Sequence, residues 1–509
     1  MLRSLPARVL LVSAVVVAGS RAQQDPPPAI RPIPVDVEAE KAGAPARPLT
    51  LGDALRAGRT ANASLRAQAM LPEQARMELL FAEAGFVPEL YGSAGYAERE
   101  TPQRNAFSPS FKSTTLDAQL GWRQRVVTGG LFDLAYAPQR FDSSGSAAFP
   151  GQQFTSEWTA SYRQPLLRGA WTDYATAPIN SARHRLTQSE HEFERAVQDT
   201  LLRIVEAYWE LLFTRENWRV VAAASDVAVE QLRITDERIR VQALAPRDRV
   251  ADEAEVARRR EELIGAENAI RTAEDALRTL LLAAGDPSSW HVNLRPTSPF
   301  VVEQPAEVAP FEELIDVAMA QRPDVRAQRS GVAAAEVALL QAERDTLPAL
   351  DIVGGYASDG VRDEFSRAWG DSLEQQYPDW SVRLEFVLPL GNQAARSRAQ
   401  QQAFEVERQR RTLHALGLEV ARQVRDAARS LQSLAQSIAA SRESVRLATV
   451  NLETEQVKLR VGASTAFEVQ RRNQELLEAK SRLLRNQLDY RTAESRLLHA
   501  QGRLRAEAP

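Results

Sequence analysis

Residues 380–391 read Trp380-Ser-Val-Arg-Leu-Glu-Phe-Val-Leu-Pro-Leu-Gly391. In an extended chain Trp380, Val382, Leu384, Phe386 and Leu388 share one face, and Ser381, Arg383 and Glu385 share the other. Strand side chains alternate, so this pattern suits a strand with lipid or core on one side and water on the other. Pro389 and Gly391 stop the strand, and a helical pattern of about 110 residues runs on to Gly502. A wet-sided strand feeding directly into a very long helix is an unusual pairing.

The same junction occurs earlier. Trp158-Thr-Ala-Ser-Tyr-Arg-Gln-Pro-Leu-Leu-Arg-Gly169 alternates in the same way and meets Pro165 where the later stretch meets Pro389. Working outward, Asn62–Gln68 aligns with Arg322–Gln328 at an offset of 260, as do Pro88, Leu90, Gly95 and Tyr96 with Pro348, Leu350, Gly355 and Tyr356. The offset is 224 at the junctions and settles at 220, where Arg271-Thr-Ala-Glu274 matches Arg491-Thr-Ala-Glu494 letter for letter. An internal duplication follows, with about 36 extra residues between the outer strands of the first half. They hold two more alternating segments, Leu116–Arg123 and Phe132–Tyr136, around the turn Val127-Thr-Gly-Gly130.

Both helical stretches carry a seven-residue spacing. Val424, Leu431, Ile438, Val445, Leu452 and Leu459 form one seam; Val469, Leu476, Leu483, Tyr490 and Leu497 form another after a break. Shifting back by 220 gives Ile204 to Ile239, then Val256, Leu263, Ile270 and Leu277. A sustained heptad predicts coiled-coil packing. At 1.5 Å per residue, Ala175 to Arg240 would be roughly 100 Å long, longer than a compact domain needs. The breaks read as hairpin tips. Gly462 can end a helix in the left-handed conformation and Thr465-x-x-Glu468 is a capping box, while Pro246 in the first tip suits a first helical turn.

Length and composition bound the rest. At 509 residues the chain could hold several ordinary domains or one elongated one. Residues 1–22 have the basic start, short apolar run and small-x-small site of a secretory signal peptide, and the run is too short to span a bilayer. No later stretch is apolar enough for a transmembrane helix, which excludes an inner-membrane transporter. The sequence has no cysteine, so a disulfide framework and a lipoprotein anchor are both excluded. A net charge of −4 argues against nucleic acid, and Arg258-Arg259-Arg260 reads as a solvated helix face. The five histidines show no metal spacing, and neither a phosphate-cradling loop nor a nucleophile elbow is present. We expect no enzyme, no cofactor and no metal.

Together these features resemble the outer-membrane efflux protein family, the TolC-like channels, over about Leu51 to Gly502. The resemblance rests on the helix–strand–helix plan in duplicate, the strand ends Gln164-Pro-Leu-Leu-Arg-Gly169 and Leu388-Pro-Leu-Gly391, and the tip Arg460-Val-Gly-Ala-Ser464. It implies a mainly α protein with membrane β. In it a homotrimeric outer-membrane β-barrel is continued by a long antiparallel coiled-coil tunnel through the periplasm of a Gram-negative bacterium. Open strand edges, which lipid cannot satisfy, favour closure on their own account. The implied function is the passive exit duct of a tripartite efflux or type I secretion system. Its partners would be outer-membrane lipid, a periplasmic adaptor (membrane fusion protein) and, through that adaptor, an inner-membrane transporter. A soluble periplasmic coiled-coil adaptor or scaffold is the alternative.

The resemblance places adaptor contact at the tips, Arg240, Val241, Gln242 and Ala243 in the first and Arg460, Val461, Gly462, Ala463 and Ser464 in the second. Gln242 stands where Gly is expected, and plain helix-turn capping would explain both tips as well. It also places a periplasmic constriction at Asp248 and Glu468, with Arg471 where a second acid is often found. The chain then divides into a signal peptide (1–22), a Pro-rich linker (23–48), a first repeat (49–285), a linker (286–310), a second repeat (311–502) and a C-terminal tail (503–509). The first repeat has strands over 89–165 and the second over 349–389. The extra hairpin 116–136 either joins the barrel wall or extends above it; we expect the extension, because the family's barrel is otherwise constant.

Overall fold

The computed structural model describes residues 46–101, 111–144, 151–242, 244–281, 290, 293–305, 307–461 and 463–506. The expected signal peptide (1–22) and most of the expected first linker lie outside them. The first half runs β1 (Ala46–Leu49), α1 (Leu51–Ala61), α2 (Ala63–Gln68), α3 (Met70–Ala84), β2 (Glu89–Thr101), β3 (Phe111–Arg125), β4 (Leu131–Ser144), β5 (Gly151–Pro165), α4 (Thr172–Ala175), α5 (Ala177–Arg240) and α6 (Asp248–Leu281). The second runs β6 (Asn293–Pro296), α7 (Phe311–Gln321), α8 (Pro323–Arg344), β7 (Ala349–Arg362), α9 (Phe365–Leu373), β8 (Pro378–Val387), α10 (Gln393–Arg460) and α11 (Ala466–Ala500).

Six strands form one sheet in the order β2-β3-β4-β5-β7-β8, with every pairing antiparallel. The extra hairpin is therefore in the wall of the sheet and is not an extension beyond it. Its strands match their neighbours in length, β3 pairing from Glu89↔Arg123 to Thr101↔Phe111 and β4 from Leu131↔Arg163 to Ser143↔Gly151. Its alternation is also in phase with theirs, so its apolar side chains continue their apolar face. At its turn Gly129 has φ 89°, and a Cβ there would overlap the Gly169 carbonyl oxygen. Thr128 donates to Gln164 Oε1 at 2.9 Å and Gln164 Nε2 donates to the Thr128 carbonyl at 3.0 Å, fastening the turn to the end of β5.

The other four strands run into or out of helices. Residues in the left-handed region, Gly169 (φ 87°), Gly391 (φ 82°) and Asn392 (φ 39°), turn the chain from β5 into α5 and from β8 into α10. Asn392 Nδ2 donates to the Thr346 carbonyl at 2.8 Å, which ties the start of α10 to the loop between α8 and β7. The long helices α5 and α10 have 64 and 68 residues, about 100 Å each.

The core sits midway along the helices, in two clusters. One gathers Leu55, Ile204, Tyr208, Leu211, Leu277 and Leu488; the other Val325, Val424, Leu431, Ile438, Tyr490 and Leu497. Seam residues Ile204, Leu211, Leu277, Val424, Leu431 and Ile438 are buried as their spacing predicts, whereas Leu452 and Leu459, nearer the tip, are only half-buried. Two stretches assigned to linkers contribute structure: β1 and β6 pair in parallel, and the Tyr208 hydroxyl donates to the Leu49 carbonyl at 3.0 Å. Leu504 and Ala506, placed in the tail, are buried in the first cluster.

Candidate conduction path and hairpin tips

The register assigns every strand residue of the sheet to one of two faces. On one lie Leu90, Leu120, Trp122, Phe132, Tyr136, Trp158, Tyr162, Ile352, Tyr356, Trp380, Val382, Leu384 and Phe386. On the other lie Tyr91, Asp117, Gln119, Arg123, Asp133, Ser161, Arg163, Asp351, Arg383 and Glu385. Tyr96, Trp158, Tyr356 and Trp380 each stand seven residues in from the helix-joined end of their strand, at Glu89, Pro165, Ala349 and Val387. Aromatic side chains at one depth on an apolar face are the pattern of a membrane-interface girdle.

The polar face is laced with charge pairs. Asp133 accepts from the Tyr91 hydroxyl at 2.8 Å and from Arg123 Nε at 2.7 Å. Arg163 lies 3.0 Å from Asp351 and 2.9 Å from Glu385, bridging β5, β7 and β8. Such pairs keep a wall wet and rigid.

At the far end of the helices the tips are capped rather than packed. Thr465 caps α11, its hydroxyl accepting from the Glu468 amide at 3.3 Å. Gln242, the residue standing where Gly was expected, itself takes a left-handed φ of 58°. Pro246 falls in the turn ahead of α6, not in its first helical turn. Arg240, Val241, Gln242, Arg460, Val461 and Ala463 are exposed and Ser464 is half-buried, donating to Glu455; Ala243, Gly462 and the side chain of Asp248 lie outside the described residues. Val461 is 73% exposed and Phe467, which the sequence reading passed over, is 70% exposed. A Phe one residue before Glu468, in the short turn between two heptad seams, was the available signal.

Arg471 reaches Glu468 at 3.9 Å and Glu475 at 3.4 Å, so the acid of this segment is countered within its own helix. Glu475 is held below the ordinary carboxylate value, first by the hydrogen bond from Arg472. Glu455 is held low by the Ser464 hydroxyl and then by Lys458. Above the tips the two hairpins meet across a pocket of about 160 Å³ whose walls include Ala228, Glu255, Leu452 and Val469, so α5, α6, α10 and α11 converge there.

Residues 314–503 match the family described as "Outer membrane efflux protein". Outer membrane protein TolC of Vibrio cholerae serotype O1 is 23% identical over 340 residues, 66% of this chain and 74% of that protein. Among solved structures, the outer-membrane channel OprN superposes with a TM-score of 0.67 at 14% identity, covering 89% of each chain. The Campylobacter jejuni CmeC outer membrane channel gives 0.65 at 14% identity, covering 90% of this chain and 87% of that one. Residues 314–503 thus match the outer membrane efflux protein family, and along its length the chain shares the fold of solved outer-membrane channels.

Proposed function

We propose that three copies of this chain assemble into the exit duct of a tripartite export system in the outer membrane of a Gram-negative cell. The observation that carries the reading is the six-stranded sheet, apolar on one face and charge-paired on the other, with β2 and β8 left as free edges. Unpaired edges cannot persist in hydrocarbon, so β8 of one copy must meet β2 of the next. Three copies then close an 18-stranded barrel. Barrel diameter grows about linearly with strand number, which makes this wall about half again as wide as one built from four strands per copy. The free surfaces of α3 (Met70, Met77, Phe81) and α10 (Phe404, Leu418) are exposed and apolar, and in this assembly they too find partners between copies.

In this reading the duct is passive and carries no catalytic group, cofactor or metal. Its tips, Arg240–Ala243 and Arg460–Ser464, meet a periplasmic adaptor that joins an inner-membrane transporter. Asp248, Glu468 and Arg471 line the closed periplasmic mouth, and cargo is chosen by the transporter. The halves derive from one duplicated unit. The test is purification from outer membranes in detergent, followed by native mass spectrometry and planar-bilayer recording. A species of three chains with stable conductance is expected. A chain released without detergent, or a detergent monomer that keeps its β-signal, would overturn the reading.

A further inference from the structure

Among the described residues the apolar face of the sheet carries one covering element, α9, in the connection from β7 to β8 at the end away from the long helices. Its residues Phe365, Ala368, Trp369 and Ser372, spaced i, i+3, i+4 and i+7, all turn toward the sheet. The Trp369 ring centroid lies 4.7 Å from that of Tyr136 and 5.8 Å from that of Trp158, and Phe365 lies 6.2 Å from Phe154. Only a glycine at 360 permits this approach, since a Cβ there would overlap the Ala368 carbonyl oxygen.

Beneath the helix the strand face is polar. Ser156 and Ser358 are 0% and 2% exposed. Ser156 Oγ shares a hydrogen bond of 2.9 Å with Ser372 Oγ, and Ser358 Oγ donates to the Ser372 carbonyl at 2.7 Å. Left open to hydrocarbon these hydroxyls would be costly; α9 partners both, and Ser156 Oγ also donates to the Tyr136 hydroxyl at 3.1 Å. Depth agrees. An apolar band about 25 Å tall crossed at a tilt takes about ten strand residues. The contacts of α9 straddle that depth, Trp158 standing seven and Phe154 eleven residues in from the helix-joined end of β5 at Pro165.

We propose that α9 is an outer collar lying in the boundary layer of the outer leaflet, its lower edge against acyl chains and its upper edge in water. This rests on the assignment of the apolar face to lipid. Trp369 meets the deeper pair Tyr136 and Trp158, so its edge of the helix, with the 53% exposed Leu373 one turn on, continues the lipid band. The opposite edge carries the exposed Arg367, with the buried Asp371 beside it paired to Arg362.

The chain has no cysteine, so single cysteines at Leu373, Arg367 and Leu384 can be labelled with a fluorophore in the full-length protein in liposomes. Lipid-borne nitroxide should quench the Leu373 and Leu384 labels, and aqueous iodide should quench Arg367 at least about threefold more than Leu373. Equal iodide access at Leu373 and Arg367, with Leu384 still quenched from lipid, would overturn the collar. Iodide access at all three would overturn the lipid assignment of the face, and the collar with it.

Discussion

Gln242 occupies a backbone position that favours glycine, at φ 58°, and its side chain is exposed. Replacing it by Gly should relieve on the order of 1 kcal/mol of local strain, read as slower amide exchange at the end of α5. Faster exchange there would show that the side chain holds the tip. In the other tip Val461 offers bare apolar surface. Val461→Asp places one charge per copy in the proposed adaptor contact, where desolvation is costly. It should leave assembly intact and abolish export in a complementation assay; normal export would move the contact elsewhere. Arg471 offers a third test. It counters Glu468 and Glu475, and Arg471→Glu leaves Arg472 alone against the acids of the segment. Reversal potentials in a salt gradient should then shift toward cation selectivity, and an unchanged value would place Arg471 away from the constriction.

Among elements, the hairpin β3–β4 hangs on its turn. Gly129→Ala adds both a strained φ and an overlap with the Gly169 carbonyl, so it should loosen that turn. Faster protease cleavage near Thr128 in the assembled protein is the expected readout. The start of α8 is pinned differently, by Arg322, which is 1% exposed and holds Asp324 at 2.6 Å, Gln423 at 2.9 Å and the Ala500 carbonyl at 3.1 Å. Burial pushes the Asp324 carboxyl up, but the Arg322 hydrogen bond and charge outweigh it and the pKa falls below the ordinary 3.8. Its folded pKa is the lower one, so its stabilisation is full above that ordinary value and is lost as pH falls through the folded value. Asp324→Asn should therefore lower the thermal midpoint at pH 7, and the two melting curves should converge below about pH 4. A constant gap would refute the linkage.

The elements legible in the sequence are those with a long period. Heptads over α5 and α10, and alternation over β5 and β8, each repeat often enough to rise above local noise. The pairing of β1 with β6 involves only four residues on each side, too few for alternation to register. α9 was hidden because its nine residues fall inside the span 349–389 assigned to strands, although its apolar spacing was there. Both faces of the sheet were readable, yet whether the extra hairpin lay in the wall depended on its length and phase relative to β2 and β5.

For the whole molecule, four strands of each copy join helices while β3 and β4 end in the turn docked on Gly169. In the proposed assembly three copies place 18 strands above 12 helix ends. Ions crossing this assembly meet a wide, short barrel and a narrow tunnel about 100 Å long, two resistances in series. Resistance scales with length over cross-section, so nearly all of the voltage drops along the tunnel and its mouth. Excising residues 111–144 should narrow the barrel yet leave single-channel conductance within about a fifth of its original value. A proportional fall would place the resistance in the barrel. By the same arithmetic the added strands leave electrical throughput almost untouched; what they enlarge is the vestibule into which cargo emerges.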